Sequence, residues 1–206
     1  EDPRNINPVT FPWRRADQDG VMCDGYMELR YKLQSALEAS EETIAAVGRD
    51  YAERFGRDHG GLLWRYRTED ADVILTGMGS IATEATMAVD ALREQGISAG
   101  VIGLRVYRPF PKTAVREAFR GARAILVMEK DISYGYEGAL CSDLKAAFYG
   151  TDIAAPIHNV VAGLGGRDVK AHELTGITRT ILDRIAAGQP ESPTTWLNCR
   201  TDIPTE

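Results

Sequence analysis

The sequence predicts an α/β fold, a three-layer, mostly parallel sheet, and three observations predict it. Val73-Ile74-Leu75, Val101-Ile102 and Ile125-Leu126-Val127 are apolar runs with no polar alternation; amphipathic helical segments lie between them; glycines mark the junctions. Strands apolar on both faces belong in a sheet covered on both sides by helices. Alternation of strands with helices implies parallel pairing through right-handed crossovers.

The chain has 206 residues and divides into three expected regions. Residues 1–69 read as an extended arm, a long amphipathic helix and a linker; 70–188 as the α/β domain; 189–206 as an extended tail. Pro3, Pro8 and Pro12 with Asp17, Asp19 and Gly20 keep the first 25 residues from running as helix. From Tyr26 to Phe55, Tyr26, Leu29, Leu33, Leu37, Ile44, Val47, Tyr51 and Phe55 recur at three-or-four spacing, which predicts one helix with a single apolar stripe. Asp24 stands where a residue can cap its start, and Gly56 where a left-handed residue ends it.

Within the domain the predicted order is regular. A strand-like run spans 62–66, and a buried strand 71–77 ends at glycine. A helix from Ser80 stops at Gly96, and strand 99–104 follows. Helix 113–120 comes after Pro109-Phe110-Pro111, then strand 124–128, a loop holding Gly135 and Gly138, and helix 139–149. Strand 156–162 runs into Gly163-Leu164-Gly165-Gly166, with a last helix over 172–187 and Asp168 as its approximate cap.

The net charge of −6 excludes a general nucleic-acid binder, since phosphate contacts need clustered Lys and Arg. No apolar run is long enough to span a bilayer and the start does not read as a signal peptide, so the expectation is a cytoplasmic protein with neither membrane nor nucleic acid as partner. Cys23, Cys141 and Cys199 are far apart, and His59, His158 and His172 have no local partner. A zinc or iron–sulfur site needs ligands in closely spaced sets, so no metal, no cofactor and no catalytic residue is expected on this chain alone.

Three motifs carry the candidate ligand or interface residues. Gly77-Met78-Gly79-Ser80-Ile81-Ala82 follows a buried strand and opens a helix, the placement of a dinucleotide turn. The next strand ends at Arg105 instead of the acid that holds a ribose hydroxyl, which weighs against a dinucleotide and leaves a tight strand-to-helix turn. Arg105 and Arg108 lie beyond a strand end and suit an ion pair within the fold, a subunit ion pair or an anionic ligand. Gly165, Gly166, Arg167 and Asp168 follow another strand, where the glycines permit positive φ.

As a set, these segments resemble the later half of the alpha subunit in the pyruvate:ferredoxin oxidoreductase family, its transketolase C-terminal-like region. The matching residues are Asp2-Pro3 with Pro8, Phe55-Gly56-Arg57 closing the long helix, Glu69-Asp70-Ala71-Asp72, Gly77-Met78-Gly79-Ser80, and Val89-Asp90-Ala91-Leu92-Arg93-Glu94. Leu104-Arg105, Arg108-Pro109-Phe110-Pro111 and Gly163-Leu164-Gly165-Gly166-Arg167-Asp168 complete the set.

The resemblance implies a complex with beta-, gamma- and delta-type subunits that decarboxylates a 2-oxoacid on thiamine diphosphate with Mg2+. It passes the electrons through [4Fe-4S] clusters to ferredoxin or another acceptor, and the acyl group to coenzyme A. It also implies that the pyrimidine-binding domain precedes this region, so the chain reads as part of a subunit that serves assembly. Ile132-Ser133-Tyr134-Gly135-Tyr136-Glu137-Gly138 and Met128-Glu129-Lys130 depart from the commoner family residues. They leave the substrate open among pyruvate, oxalate, 2-oxoglutarate, branched-chain and aromatic 2-oxoacids. Two other readings stand beside this one: a stand-alone nucleotide- or CoA-binding domain using residues 77–82, and an electron-acceptor docking module using Arg105, Arg108 or Arg167.

Overall fold

The computed structural model describes residues 26–189 and 194–202, without the side chains of Tyr26, Glu28 and Leu29. The arm of residues 1–25, with Asp24 and Cys23, lies outside the described residues.

Helix α1 (Tyr26–Phe55) leads into β1 (Leu63–Tyr66), β2 (Val73–Met78), α2 (Ser80–Glu94), β3 (Ala99–Leu104) and α3 (Lys112–Ala118). Then come β4 (Ala124–Glu129), α4 (Ala139–Phe148), β5 (Ile157–Val161), a 3-10 turn (Leu164–Gly166), α5 (Ala171–Ala186) and β6 (Thr195–Trp196). The strands form one sheet in the order β1-β3-β2-β4-β5-β6, parallel except for β1. The α/β fold class is therefore as the sequence implies. The sheet takes in β1 and β6, which lie on either side of the 70–188 expected of the domain.

Strands β3 and β4 are buried along their whole length, and β2 along all but its last residue. Their apolar runs serve both faces, as the sequence pattern requires. On one face Val73, Leu75, Val101, Leu126, Met128 and Val160 pack against α2 and α5 through Ile81, Ala85, Leu92, Leu174 and Ile181. On the other, Ile74, Ile102, Ile125 and Val127 meet α3 and α4 through Val115, Phe119, Leu140, Leu144 and Phe148. Each fully buried Leu, Ile or Phe contributes about 1.5–3 kcal/mol of transfer free energy, so these two layers dominate stability.

The expectation that all crossovers share one hand needs correction. The chain steps from β2 to β3 in one direction with α2 on the first face. It then steps back to β4, β5 and β6, with α3 and α4 on the second face but α5 on the first. The last crossover is thus opposite in hand to the other three. It is one of the few exceptions to the handedness rule, made by β6, an edge strand of two residues paired with β5.

Arg93 pins the start of this core. Its guanidinium donates to Asp70 Oδ1 at 2.6 Å, to the Arg67 carbonyl at 2.8 Å and to the Ala99 carbonyl at 2.7 Å. The Arg93 partner holds the Asp70 carboxyl below its usual range.

One side of helix α1 meets the domain. Ala45, Gly48, Arg49 and Ala52 line a groove of about 700 Å³ with residues 60–65 of the β1 edge and Ala114. Its end is as expected: Gly56 has φ 64° and its N–H donates to the Ala52 carbonyl at 2.8 Å.

Candidate functional site

Reversal of strand order between β2 and β4 opens a crevice at the C-terminal ends of those two strands, the position where open α/β sheets present ligands. Three segments meet there: the turn from β2 into α2, the loop from β4 into α4, and the glycine turn after β5.

The first is built by backbone demands. Gly79 sits at φ 61°, ψ −137°, a region that side chains rarely tolerate, and serves as the N-cap of α2 without a capping side chain. Gly77 is needed for a different reason, since a Cβ there would stand 2.7 Å from the Met128 carbonyl oxygen. Ser80 projects from the helix start, and Lys130 crosses from β4 to donate from Nζ to Ser80 Oγ at 3.0 Å. The lysine stem lies over Gly163, where a Cβ would come within 3.0 Å of its Cε.

Ser80, Ile81, Glu84, Lys130, Gly166, Arg167, Asp168 and Val169 enclose about 230 Å³. Of the sequence-derived candidates, Ser80, Gly166, Arg167 and Asp168 line this pocket; Gly79 starts the helix beside it, Gly165 belongs to the adjoining turn and Gly77 is buried under it. Arg105 and Arg108 are not part of it. Arg108 leans over the Tyr107 ring at 4.1 Å and donates to Asp143 Oδ2 of α4 at 2.8 Å, an ion pair within the fold. Arg105 follows β3 and is exposed. Arg167 donates to the Asn198 carbonyl. Asp168 is exposed and 3.8 Å from Lys170.

Asp168 does not cap the last helix. The Lys170 N–H donates to Glu173 Oε2 at 2.9 Å, and the Ala171 N–H to Glu84 Oε1 of α2 at 2.9 Å. The long-range acid Glu84 does what the local one was expected to do.

The pocket's donors do not fit a pyrophosphate group. Lys130, Arg167 and the start of α2 attract an anion, but the Glu84 and Asp168 carboxylates share the same walls. No step through thiamine diphosphate is therefore assigned to these residues. Among the described residues no group of three His, Cys, Asp or Glu side chains converges to hold a metal ion, and no helix is long and apolar enough to cross a membrane.

Sequence reasoning missed the polar cluster beneath the loop of residues 130–138. Glu129 ends β4 and is buried; its Oε1 accepts from the Leu140 N–H at 2.5 Å, and its Oε2 from the Cys141 N–H at 3.1 Å and Asn159 Nδ2 at 2.7 Å. Asp131 accepts from the Ala139 N–H at 3.2 Å. The first turn of α4 is thus capped by two carboxylates from the preceding strand and loop. Burial pushes the Glu129 carboxyl up to about 7; the Leu140 and Cys141 donors pull the other way, and the Asp131 carboxylate adds to the rise.

Glu137, also buried, accepts from Lys145 Nζ at 2.5 Å and from Ser142 Oγ at 3.1 Å. Burial alone would lower the Lys145 ammonium, but Glu137 holds it above its usual value. Cys141 is buried with its thiol pushed up to about 12, mainly by desolvation, so it is no nucleophile. The signal that was available is an acid closing an otherwise apolar strand, which is tolerable in a core only where donors meet it.

Residues 71–174 match the family model described as pyruvate:ferredoxin oxidoreductase core domain II. The chain is 33% identical to the ketoisovalerate oxidoreductase subunit VorA of Pyrococcus horikoshii over 85% of its own length and 44% of that protein. It is 34% identical to the pyruvate synthase subunit PorA of Methanothermobacter thermautotrophicus over 98% of its length and 52% of that protein. A solved 2-oxoglutarate:ferredoxin oxidoreductase from Magnetococcus marinus aligns with TM-score 0.46 at 16% identity, over 64% of this chain and 21% of that one. The chain spans about half the length of the curated relatives it matches.

Proposed function

Because the chain belongs to the pyruvate:ferredoxin oxidoreductase family, we propose that it is the assembly region of an alpha-type subunit in a 2-oxoacid:ferredoxin oxidoreductase. The complex oxidatively decarboxylates a 2-oxoacid such as pyruvate to acyl-CoA and CO2 in the cytoplasm. Thiamine diphosphate with Mg2+ supplies carbanion stabilisation, and [4Fe-4S] clusters on other subunits lead the electrons to ferredoxin or another acceptor. Core domain II binds and orients neighbouring parts and carries no chemical step.

The observation that supports an assembly role is α1. Leu33, Leu37, Val47 and Phe55 follow the apolar spacing of one stripe and all are exposed, Val47 to 61% and Phe55 to 59%. At about 100° per residue the centre of that stripe lies roughly a quarter turn from the centre of Ala45, Gly48 and Ala52, which face the domain, with Leu37 and Phe55 at its near edge beside Gly48. An apolar stripe of this length in water marks a surface that another protein part covers. The docking-module reading is weaker, since Arg108 and Arg167 are engaged inside the fold.

The test is to express the chain with beta-, gamma- and delta-type subunits and analyse what copurifies. Co-elution with thiamine and iron in the complex, and with neither in the chain alone, is the expected result. A chain that elutes by itself while the other subunits assemble and oxidise 2-oxoacid without it would end the proposal.

A further inference from the structure

Strand β1 forms one edge of the sheet, and among the described residues its outer side meets no other strand. The Arg105 N–H donates to the Leu62 carbonyl at 3.1 Å, so residues 62 and 105 make a hydrogen-bonded pair. Such pairs alternate along an antiparallel ladder. With the register Leu63↔Leu104 and Trp64↔Gly103, the backbone groups of Trp64 and Tyr66 turn to β3, and those of Leu63 and Arg65 turn outward. The Leu63 N–H is taken by the Gly60 carbonyl at 3.2 Å. Among the described residues nothing takes the Arg65 N–H or its carbonyl.

This free edge is one wall of the groove of about 700 Å³ beside α1. Ala45, Gly48 and Ala52 keep the facing helix wall low. At Gly48 a Cβ would stand 3.2 Å from the Gly61 Cα, so the helix and the turn into β1 meet backbone to backbone. The charges of the groove are uneven. Arg49 on the helix wall and Arg65 on the strand wall are both exposed, and among the described residues neither has an ion-pair partner. Asp58 supplies the carboxylate of the lining, and it already accepts from the Gly60 N–H at 2.7 Å.

We propose that this groove receives an extended acidic segment of a neighbouring subunit, which joins β1 and extends the sheet by one strand. The Arg65 N–H and carbonyl supply backbone bonds, the mode in which a peptide adds to an open sheet edge. Arg49 and Arg65 meet its carboxylates from the two walls. β1 has four residues, so the added strand is about 13 Å long at about 3.3 Å per residue. A second copy of the same edge is a poor occupant: β1 against β1 would bring four guanidiniums together, and like charges across a strand pair destabilise it. The inference rests on the assembly reading, which supplies the partner, and adds a contact separate from the apolar stripe of α1.

The test uses the chain coexpressed with beta-, gamma- and delta-type subunits. Hydrogen exchange resolved to single amides should find Arg65 open in the chain alone and protected several-fold in the complex, with Trp64 protected in both. Arg65→Pro removes the outward donor and spares the β1–β3 bonds; Arg49→Glu with Arg65→Glu reverses the charge. Each should lower the retention of partner subunits several-fold, while the charge-reversed chain melts with the unaltered one. If Arg65→Pro does not fold, the charge-reversed chain decides. A photo-crosslinking residue in place of Arg49 should join a run of partner residues rich in Asp and Glu. A complex that forms with the Arg65 amide still open overturns the inference and leaves the assembly reading standing, whereas no complex at all ends both. An Arg65 amide already protected in the chain alone, normal retention by the charge-reversed chain, or a crosslink to a second copy or to residues 1–25 of the same chain also overturns it.

Discussion

Asn159 Nδ2 lies 2.7 Å from Glu129 Oε2, and that bond joins β5 to β4 at the point where the loop into α4 begins. Gly138 closes the arrangement: its N–H meets Asn159, and its α-carbon lies so close to the carboxylate that a Cβ would stand 2.9 Å from Asn159 Nδ2 and much nearer to Glu129 Oε2. The side-chain pair and the missing side chain form one unit.

Gly138→Ala should therefore destabilise the protein although its backbone, at φ −65° and ψ 149°, suits any residue. The methyl must displace a carboxylate that satisfies three buried donors, and leaving such groups unpaired costs about 1–3 kcal/mol. For comparison, Gly135→Ala on the same loop meets open space and carries only the strain of φ 81°. Chemical denaturation of both variants checks this; a Gly138→Ala chain as stable as the unaltered one would show that the cluster relaxes without loss.

Gly79→Val tests the turn into α2. Nothing lies within 4 Å of a Cβ there, so any loss comes from backbone strain at φ 61° and not from a clash. The expected cost is at least about 1 kcal/mol, or about 2–4 °C in melting temperature for a chain this size. Gly77→Ala should also destabilise, by contact with the Met128 carbonyl. Equal melting temperatures for Gly79→Val and the unaltered chain would reject the strain argument.

These glycines also show how far the sequence could be read. Period and apolar runs are local, so the bounds of α1 and β3 come out as expected and most other ends fall within a residue or two. Gly79 and Ser80 are legible because a glycine turn after a buried strand has a local signature. Lys130 reaching Ser80 across fifty positions, Glu84 capping α5 and Glu129 capping α4 through space have none. Those contacts depend on which strands become neighbours, and the reversal between β2 and β4 decides that. Arg105 and Arg108 looked alike beside a strand end, yet Asp143, thirty-five positions away, distinguishes them.

His158 should make stability fall in mild acid. It is fully buried between the sheet and α5 with neither ring nitrogen hydrogen-bonded, and burial, then the Arg184 and Lys145 charges, hold its pKa below the usual 6.5. Below 6.5 the unfolded chain binds a proton that the folded one refuses, so its contribution to stability is full above that value and lost as pH falls. The slope is at most about 1.4 kcal/mol per pH unit. Glu129 acts in the opposite sense: with its folded value raised from 4.5 to about 7, its contribution is present below 4.5 and lost as pH rises through 7. Urea melts of His158→Leu between pH 5 and 7.5 should show less acid loss than the unaltered chain; parallel curves would mean that His158 finds a partner when charged.

The stripe on α1 gives a test that separates folding from association. Leu33 and Val47 are exposed at 50% and 61%, so Leu33→Asp with Val47→Asp removes little buried area from the domain. Surface changes of that kind usually alter stability by within about 0.5 kcal/mol. By contrast Leu92→Ala, in a fully buried position under the α2 face, should cost about 2–5 kcal/mol. If α1 is covered by another part of the oxidoreductase, the double variant should melt with the unaltered chain yet fail to retain partner subunits, because each aspartate would carry a charge into an apolar contact. Deleting residues 1–55 should then leave the remainder cooperatively folded, since among the described residues the two layers around the sheet draw no buried residue from α1. A double variant that assembles normally would show that the stripe stays in water in the complex, and α1 would lose its interface role. A double variant that melts far below the unaltered chain would instead place the stripe against its own domain.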